Sequence, residues 1–367
     1  MKKTLLAMAL ILGGLGAAQA STGVTLYGTV DAGVGFKKLK NTVNGDKVKK
    51  VGMFGGVWSS NSIGFKGSED LGNGWSTVFE LEKGFELLTG ETSSERAFKT
   101  TTLGLESEHY GSLKIGRMGN SVQGYAGFIA GPSDEEGLSD ISNTFSAAGS
   151  NKVDNAIIYS SPTWHGAEFA VGYSHNAEGT QSGPRSKLLT SALSYSQGPL
   201  SVVLGYDRLK ASNWDQAVHS WIAAASYEIK GVTLATAVGQ DIHGRQSGLG
   251  SYFAPSPEFQ YWEGGYIDKN FKTTGFTVNA TIPVGQNGSA MVGWSTSRLS
   301  NSYKFDNKTN SSFDSDLGKR RQNVYSAGYS YNLSKRTSAY ALWSHVAGFS
   351  YQKTRGQQLI LGLTHRF

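Results

Sequence analysis

From Val24 to Phe36 the chain alternates at nearly every step. One set of positions reads Val24, Leu26, Gly28, Val30, Ala32, Val34 and Phe36, and the interleaved set reads Thr25, Tyr27, Thr29, Asp31, Gly33 and Gly35. Successive side chains of a strand point to opposite faces, so this period of two predicts a strand with one apolar and one polar face. The stretch Trp75 to Glu82 repeats the pattern, with Trp75, Thr77, Phe79 and Leu81 set against Ser76, Val78, Glu80 and Glu82. Alternation of this kind suits a soluble sandwich as well as a barrel in lipid, and the connections have to separate the two.

The connections are alternately short and long along the whole chain. Short ones are predicted at Ser68 to Asn73, Glu108 to Gly111, Pro162 to Gly166, Gln197 to Pro199, Lys230-Gly231, Pro283 to Gly288 and Leu333 to Lys335. Long ones are predicted over residues 37 to 56, 85 to 96, 119 to 150, 176 to 186, 212 to 217, 242 to 269, 300 to 320 and 348 to 354. Tight turns at one rim and long loops at the other are the rhythm of an all-β transmembrane barrel, and the intervals hold about sixteen antiparallel strands of roughly ten residues. A barrel of that size encloses water, whereas one of about eight strands is filled by its own side chains.

Composition then narrows the picture. Residues 1–20 begin with Lys2 and Lys3, run apolar from Leu5 to Ala18 and close on Ala18-Gln19-Ala20, which predicts a secretory signal peptide cleaved after Ala20 and a single barrel domain over 21–367. Beyond it no apolar run reaches the length of about 18 residues that a spanning helix needs, so insertion in a membrane falls to strands. The chain has 48 Gly, 17 Tyr, 17 Phe and 8 Trp but no Cys, so an exported fold must be held by pairing and burial without disulfides. Loss of Lys2 and Lys3 lowers the formal charge from +6 to +4, and the bases are scattered, with no dense run outside Lys47, Lys49 and Lys50, so nucleic-acid binding is not implied.

Several segments, taken in order, carry a resemblance. Val24-Thr25-Leu26-Tyr27-Gly28, the hairpin Ile63-Gly64-Phe65-Lys66-Gly67-Ser68-Glu69-Asp70-Leu71-Gly72-Asn73-Gly74, Leu113-Lys114-Ile115-Gly116-Arg117, Tyr159-Ser160-Ser161-Pro162, Leu333-Ser334-Lys335-Arg336-Thr337 and the ending His365-Arg366-Phe367 resemble the general porins of Gram-negative outer membranes, especially the betaproteobacterial type. The resemblance implies a homotrimer of sixteen-stranded barrels, each with its own pore narrowed by a third loop folded into the lumen. That loop would be residues 119 to 150, bearing Asp134, Glu135, Glu136 and Asp140. Basic wall positions carry over at Arg117, at Lys99 where the family usually has Arg, and at Lys152; Ser62 stands where the family usually has a further Arg. The implied partners are outer-membrane lipid and lipopolysaccharide, the barrel-assembly machinery, and small hydrophilic solutes and ions. Leu359, Leu361, Leu363, His365 and Phe367 share one face of the last strand, and the terminal Phe367 resembles the signal read by that machinery.

The chemistry expected of such a pore is electrostatic. Acids facing bases across an opening set up a transverse field that orients water and dipolar solutes. Lys99, Arg117 and Lys152 would face Asp134, Glu135, Glu136 and Asp140, with Glu80 and Glu82 on a neighbouring lumen face, so the sign of selectivity is close to balanced. Three other readings differ in kind. A sugar-specific channel would use a row of rings such as Tyr125, Phe128, Trp214, Tyr252, Tyr261 and Trp262; a barrel enzyme would need a site around residues such as His109 or His165; an adhesin would work through its long loops. The histidines lie far apart without metal-ligand spacing, and no phosphate loop, dinucleotide fingerprint or calcium loop occurs, so neither catalysis nor a cofactor is indicated.

Overall fold

The computed structural model describes residues 23–42, 45, 47–92, 97–129, 141–148, 152–177, 179, 185–245, 267–300, 319–351 and 353–367. The predicted signal peptide, residues 1–20, lies outside these residues. Seventeen strand segments form one antiparallel sheet. They are β1 (Gly23–Asn41), β2 (Lys47–Gly55), β3 (Ser62–Gly72), β4 (Trp75–Gly84), β5 (Thr100–Ser107), β6 (Gly111–Gly119), β7 (Lys152–Ser160), β8 (Ala167–Ser174) and β9 (Ser186–Gln197). The circuit continues through β10 (Leu200–Ala211), β11 (Val218–Ile229), β12 (Val232–Gly244), β13 (Ile267–Val284), β14 (Gly288–Leu299), β15 (Arg321–Asn332), β16 (Thr337–Ala347) and β17 (Thr354–Arg366). Apart from β2 and β3, which both lie along β1, each strand pairs with its sequence neighbour, and β1 closes the ring on β17 from Thr29↔Arg366 to Asn41↔Thr354. Closure joins the two ends of the sheet, the condition for a sheet to sit in lipid, although β2 pairs along β1 and with no other described strand.

Segments β2 and β3 are one strand of the barrel interrupted midway, which makes sixteen strands in all. Along β1, β2 occupies Lys40↔Lys47 to Ala32↔Gly55 and β3 resumes at Thr29↔Ser62. Between them residues 56–61 step inward. Asp31 holds the step: its Oδ1 accepts the backbone N–H groups of Val57 (2.7 Å) and Trp58 (3.2 Å) and the hydroxyl of Tyr340 (3.0 Å), while its own N–H donates to Asn61 Oδ1 (2.6 Å). Trp58 is buried and stacks on Tyr340, with ring centroids 5.0 Å apart.

The expected loop over 37 to 56 is therefore mostly paired strand, with β1 reaching Asn41 and β2 starting at Lys47. Its lysines made both faces read as polar, and the backbone ladder forms regardless. The Ser68 to Asn73 turn is likewise tighter than expected, β3 running to Gly72 and β4 starting at Trp75. Elsewhere the tight turns use the geometry that hairpins require. Lys230 and Gly231 both take positive φ (50° and 84°), the primed turn whose twist matches that of the flanking strands.

Outward positions are apolar and exposed, among them Leu26, Val34, Phe65, Leu103, Ile115, Leu204 and Leu361. The outer surface at the tight-turn rim is aromatic, with Trp75 stacked on Tyr110 (5.4 Å) and Trp164 and Tyr159 against Phe169. No helix among the described residues is long and apolar enough to cross a membrane.

Candidate functional site

The connection after β6 turns into the barrel. It opens with a short helix α1 (Ser121–Tyr125), capped by Asn120, whose side-chain oxygen accepts Gln123 N–H at 2.7 Å. Short 3-10 turns follow at Ala126–Ile129, Ile141–Asn143 and Ser146–Ala148. Val122, Ala126, Ile129 and Phe145 pack on Val203, Ile222, Ala224 and Ala237, the inner faces of β10 to β12. Glycines in the wall make room for them: a Cβ on Gly205 would meet a Val122 methyl at 2.7 Å, and one on Gly275 would meet the Phe145 ring at 2.8 Å. Fully burying an aliphatic or aromatic side chain of this size stabilises by about 1.5–3 kcal/mol, so this face holds the loop as a core holds a helix.

Polar clamps fix its register. Asn120 Nδ2 donates to Asp207 Oδ2 (2.6 Å) and to the carbonyl of Ala147 (3.0 Å). Ser146 Oγ donates to Asp241 Oδ1 (2.6 Å), and the other oxygen of Asp241 pairs with Arg245 Nε at 3.0 Å. Arg245, almost wholly buried, donates both terminal nitrogens to the carbonyls of Asn143 (2.9 Å) and Ser142 (2.6 Å). Gln322 Nε2 donates to the same Asn143 carbonyl (3.0 Å), Asn279 to the Ile129 carbonyl, and the Tyr125 hydroxyl to Glu168 (2.5 Å). These bonds tie the loop to the wall at points spread from β8 to β15.

Of the basic residues nominated from the sequence, Arg117 lies near the end of β6 with Nη1 2.5 Å from Asp154 Oδ1 and Nε donating to the Lys99 carbonyl (3.2 Å). Its charge is matched by Asp154, a partner that sequence reading missed. Lys99 lies just before β5 and its backbone N–H donates to Glu82 O (2.7 Å). Lys152 opens β7 opposite Gly119. Asp134, Glu135, Glu136 and Asp140, like Tyr252, Tyr261 and Trp262, lie outside the described residues.

Glu80 and Glu82 form a charged strip with two residues that the sequence reading left out. The Tyr27 hydroxyl donates to Glu80 (2.6 Å) and Glu82 (3.3 Å), and the Lys66 ammonium sits 5.4 Å from the centre of the Tyr27 ring. Lys66 stands directly opposite Glu80. Folding the hairpin in register about Asn73-Gly74 would set Lys66 opposite Leu81; a register shift between Asp70 and Gly72 brings it opposite Glu80, so the turn residues alone do not reveal the pair. Asp207, Asp241 and Arg245 carried no signal either, because their partners come from a loop more than sixty residues earlier in the chain.

At the ring's seam, Phe367 and Gly28 exchange backbone hydrogen bonds in both directions at 3.1 Å. The phenyl ring lies so close over Gly28 that a Cβ there would be 2.4 Å from it.

A closed barrel of sixteen strands, apolar outside and narrowed by an in-folded loop, is a transmembrane channel of the bacterial outer membrane. Sequence comparison makes this specific: the chain belongs to the Gram-negative porin family, which matches residues 5–346. An outer membrane porin protein of Bordetella pertussis is 33% identical over 399 residues spanning 100% of both chains. Among solved structures, an anion-selective porin from Comamonas acidovorans is 21% identical with a TM-score of 0.66, covering 95% of this chain and 100% of its own. OmpT of Vibrio cholerae in its trimer form is 11% identical with a TM-score of 0.62, covering 95% and 100%. The expected sixteen-stranded porin fold and its outer-membrane location are met in these findings.

Proposed function

We propose that this porin passes small hydrophilic solutes and ions by passive diffusion, with weak charge selectivity set at the level of the in-folded loop. The observation that carries the reading is the clamping of that loop against one side of the wall, while the strip of Tyr27, Lys66, Glu80 and Glu82 stays partly or fully exposed on another. A solute entering from the long-loop rim passes between residues 119–150 and the wall and leaves into the periplasm down its gradient. Asp134, Glu135, Glu136 and Asp140 are assigned to the loop side of the opening, and Lys99, Arg117 and Lys152 to the wall. Ser62 removes one wall cation and Asp154 offsets another, so the balance is closer to neutral than in a strongly anion-selective channel.

Three such barrels are proposed to assemble as a homotrimer, as the trimer form of the Vibrio cholerae neighbour suggests. Export follows removal of residues 1–20, and Phe367 serves as the mark read by the assembly machinery. Outer-membrane lipid and lipopolysaccharide surround the barrel. The chain's role is transport with no chemical step.

Single-channel current of the refolded protein in a planar bilayer, with sugars of increasing size added, tests the proposal. Steps in threes, weakly reduced by every sugar below a cut-off size, are expected. Tight block by one sugar would replace the reading with a substrate-specific channel, and a silent bilayer with verified folded barrels would remove the channel reading.

A further inference from the structure

The histidines are scattered along the sequence, and the hairpin of β11 and β12 brings two of them together. His219 lies on the outer face of β11: the next residue, Ser220, meets Ser146 of the in-folded loop at 2.9 Å, and successive side chains alternate. Alternation would turn His243 inward with Asp241, whose carboxylate receives the Ser146 hydroxyl. Instead the register of β12 on β13 shifts between Ile242 and Gly244, and His243 takes a φ of 63°. That left-handed conformation is costly for a residue with a Cβ, and a bulge of this kind re-aims a side chain. The re-aimed ring meets His219 edge to face, with centroids 5.9 Å apart. Both rings are partly exposed.

The hydrogen bonds of the two rings leave the same nitrogen open on each. His243 Nδ1 lies 3.2 Å from the Ala217 carbonyl oxygen, which only accepts, so Nδ1 carries the proton and Nε2 of the neutral ring carries the lone pair. The Tyr206 hydroxyl, 2.8 Å from His219 Nδ1, can accept from it in the same sense. Neither Nε2 has a hydrogen-bond partner among the described residues. An imidazole steadied at Nδ1 by an oxygen, with Nε2 open, is how a metal-ligating histidine and its supporting group are arranged. Among the described residues no carboxylate or third histidine joins the pair, and the exposed Arg208 stands directly opposite His219. Hard, oxygen-seeking ions such as magnesium and calcium therefore find nothing to hold them, whereas imidazole nitrogen suits zinc, nickel and copper.

We propose that His219 and His243 form a binding site for a divalent transition-metal ion, each through its Nε2 atom, with water completing the coordination. Tyr206 and the Ala217 carbonyl are the positioning groups that fix the two rings. The ion ties the start of β11 to the end of β12 from outside the barrel. Both ligands stand on the outer face, away from the solute path, so the site does not depend on the diffusion reading.

Titration calorimetry of the folded barrel in detergent with zinc chloride tests it. Zinc is expected to bind, and an excess of magnesium chloride is expected not to displace it. Tyr206→Phe leaves both ligands in place and is expected to weaken zinc about ten-fold, the usual cost of losing a supporting group. His219→Gln and His243→Gln are each expected to weaken it further still. A control with His109→Gln and His165→Gln, in the tight turns of the opposite rim, is expected to bind as the parent does. Electron paramagnetic resonance of the copper-loaded parent is expected to show coupling to both imidazoles. A measurement on the unaltered chain covers the case in which a variant folds poorly: zinc is expected to shield His219 and His243, and not His109 or His165, from acylation by diethyl pyrocarbonate, read peptide by peptide by mass spectrometry. Zinc held as tightly by either single histidine variant as by the parent overturns the proposal. So does displacement by magnesium, or acylation of His219 and His243 that zinc leaves unchanged.

Discussion

Arg245 binds the inner loop to the wall through three contacts at once: the carboxylate of Asp241 and the carbonyls of Ser142 and Asn143. Arg245→Met removes all three and leaves Asp241 as a buried charge with only hydroxyl donors nearby. Breaking a buried pair in this way costs about 3–5 kcal/mol, and the cost falls on the loop because the strand ladders are untouched. The expected outcome is a larger and noisier single-channel current and passage of sugars that the parent excludes. Gly28 is a second single-residue pivot. Gly28→Val puts side-chain atoms into the Phe367 ring and within 2.6 Å of the Ser62 carbonyl for the Cβ alone, so the seam between first and last strands is expected to close poorly. The yield of heat-resistant folded barrel on a denaturing gel measures this. Neither pivot was legible in the sequence, for the same reason: alternation assigns Arg245's neighbours and Gly28 to a face, while what lies against that face comes from another part of the chain.

Whole strands were more legible than their neighbours in space. Alternating residues named the faces of β1 and β4 correctly, since period two is a local property, and the turn residues marked most connections. Alternation failed where local signals conflict. Lysines on both faces made the β1–β2 hairpin look like a loop, and Gly-Gly-Val-Trp-Ser-Ser-Asn over 55–61 mixes turn formers with apolar residues, so the inward step went unseen. That step depends on Asp31, which accepts two backbone donors and a tyrosine hydroxyl there. Hydrogen bonds to a charged group are worth about 1.5–3 kcal/mol each, so Asp31→Ala is expected to release residues 56–61 from the wall. The chain has no cysteine, so Ser59→Cys supplies a single reporter thiol. Its labelling by a water-soluble reagent is expected to quicken at least about ten-fold in the Asp31→Ala background, and an unchanged rate would show that Trp58 and Tyr340 suffice to hold the step.

Across the whole molecule, the ion pair of Arg117 and Asp154 makes the charge of the proposed pore a matter of balance. Arg117→Glu turns a matched pair into two repelling carboxylates and is expected to move permeability toward cations, whereas Asp154→Asn frees the arginine and is expected to move it toward anions. Reversal potentials in a salt gradient read both, and opposite shifts are the signature of a pair acting within reach of the ion path. The in-folded loop also divides the ring itself. Beneath it, Val203, Ile222, Ala224 and Ala237 are shut away as in a protein interior, while Lys66, Glu80 and Glu82 on the far strands keep access to water. One continuous sheet therefore lives under two regimes of sequence change. Under the loop, drift must conserve volume, as cores do; along the far strands it must conserve charge, and shape is free to wander.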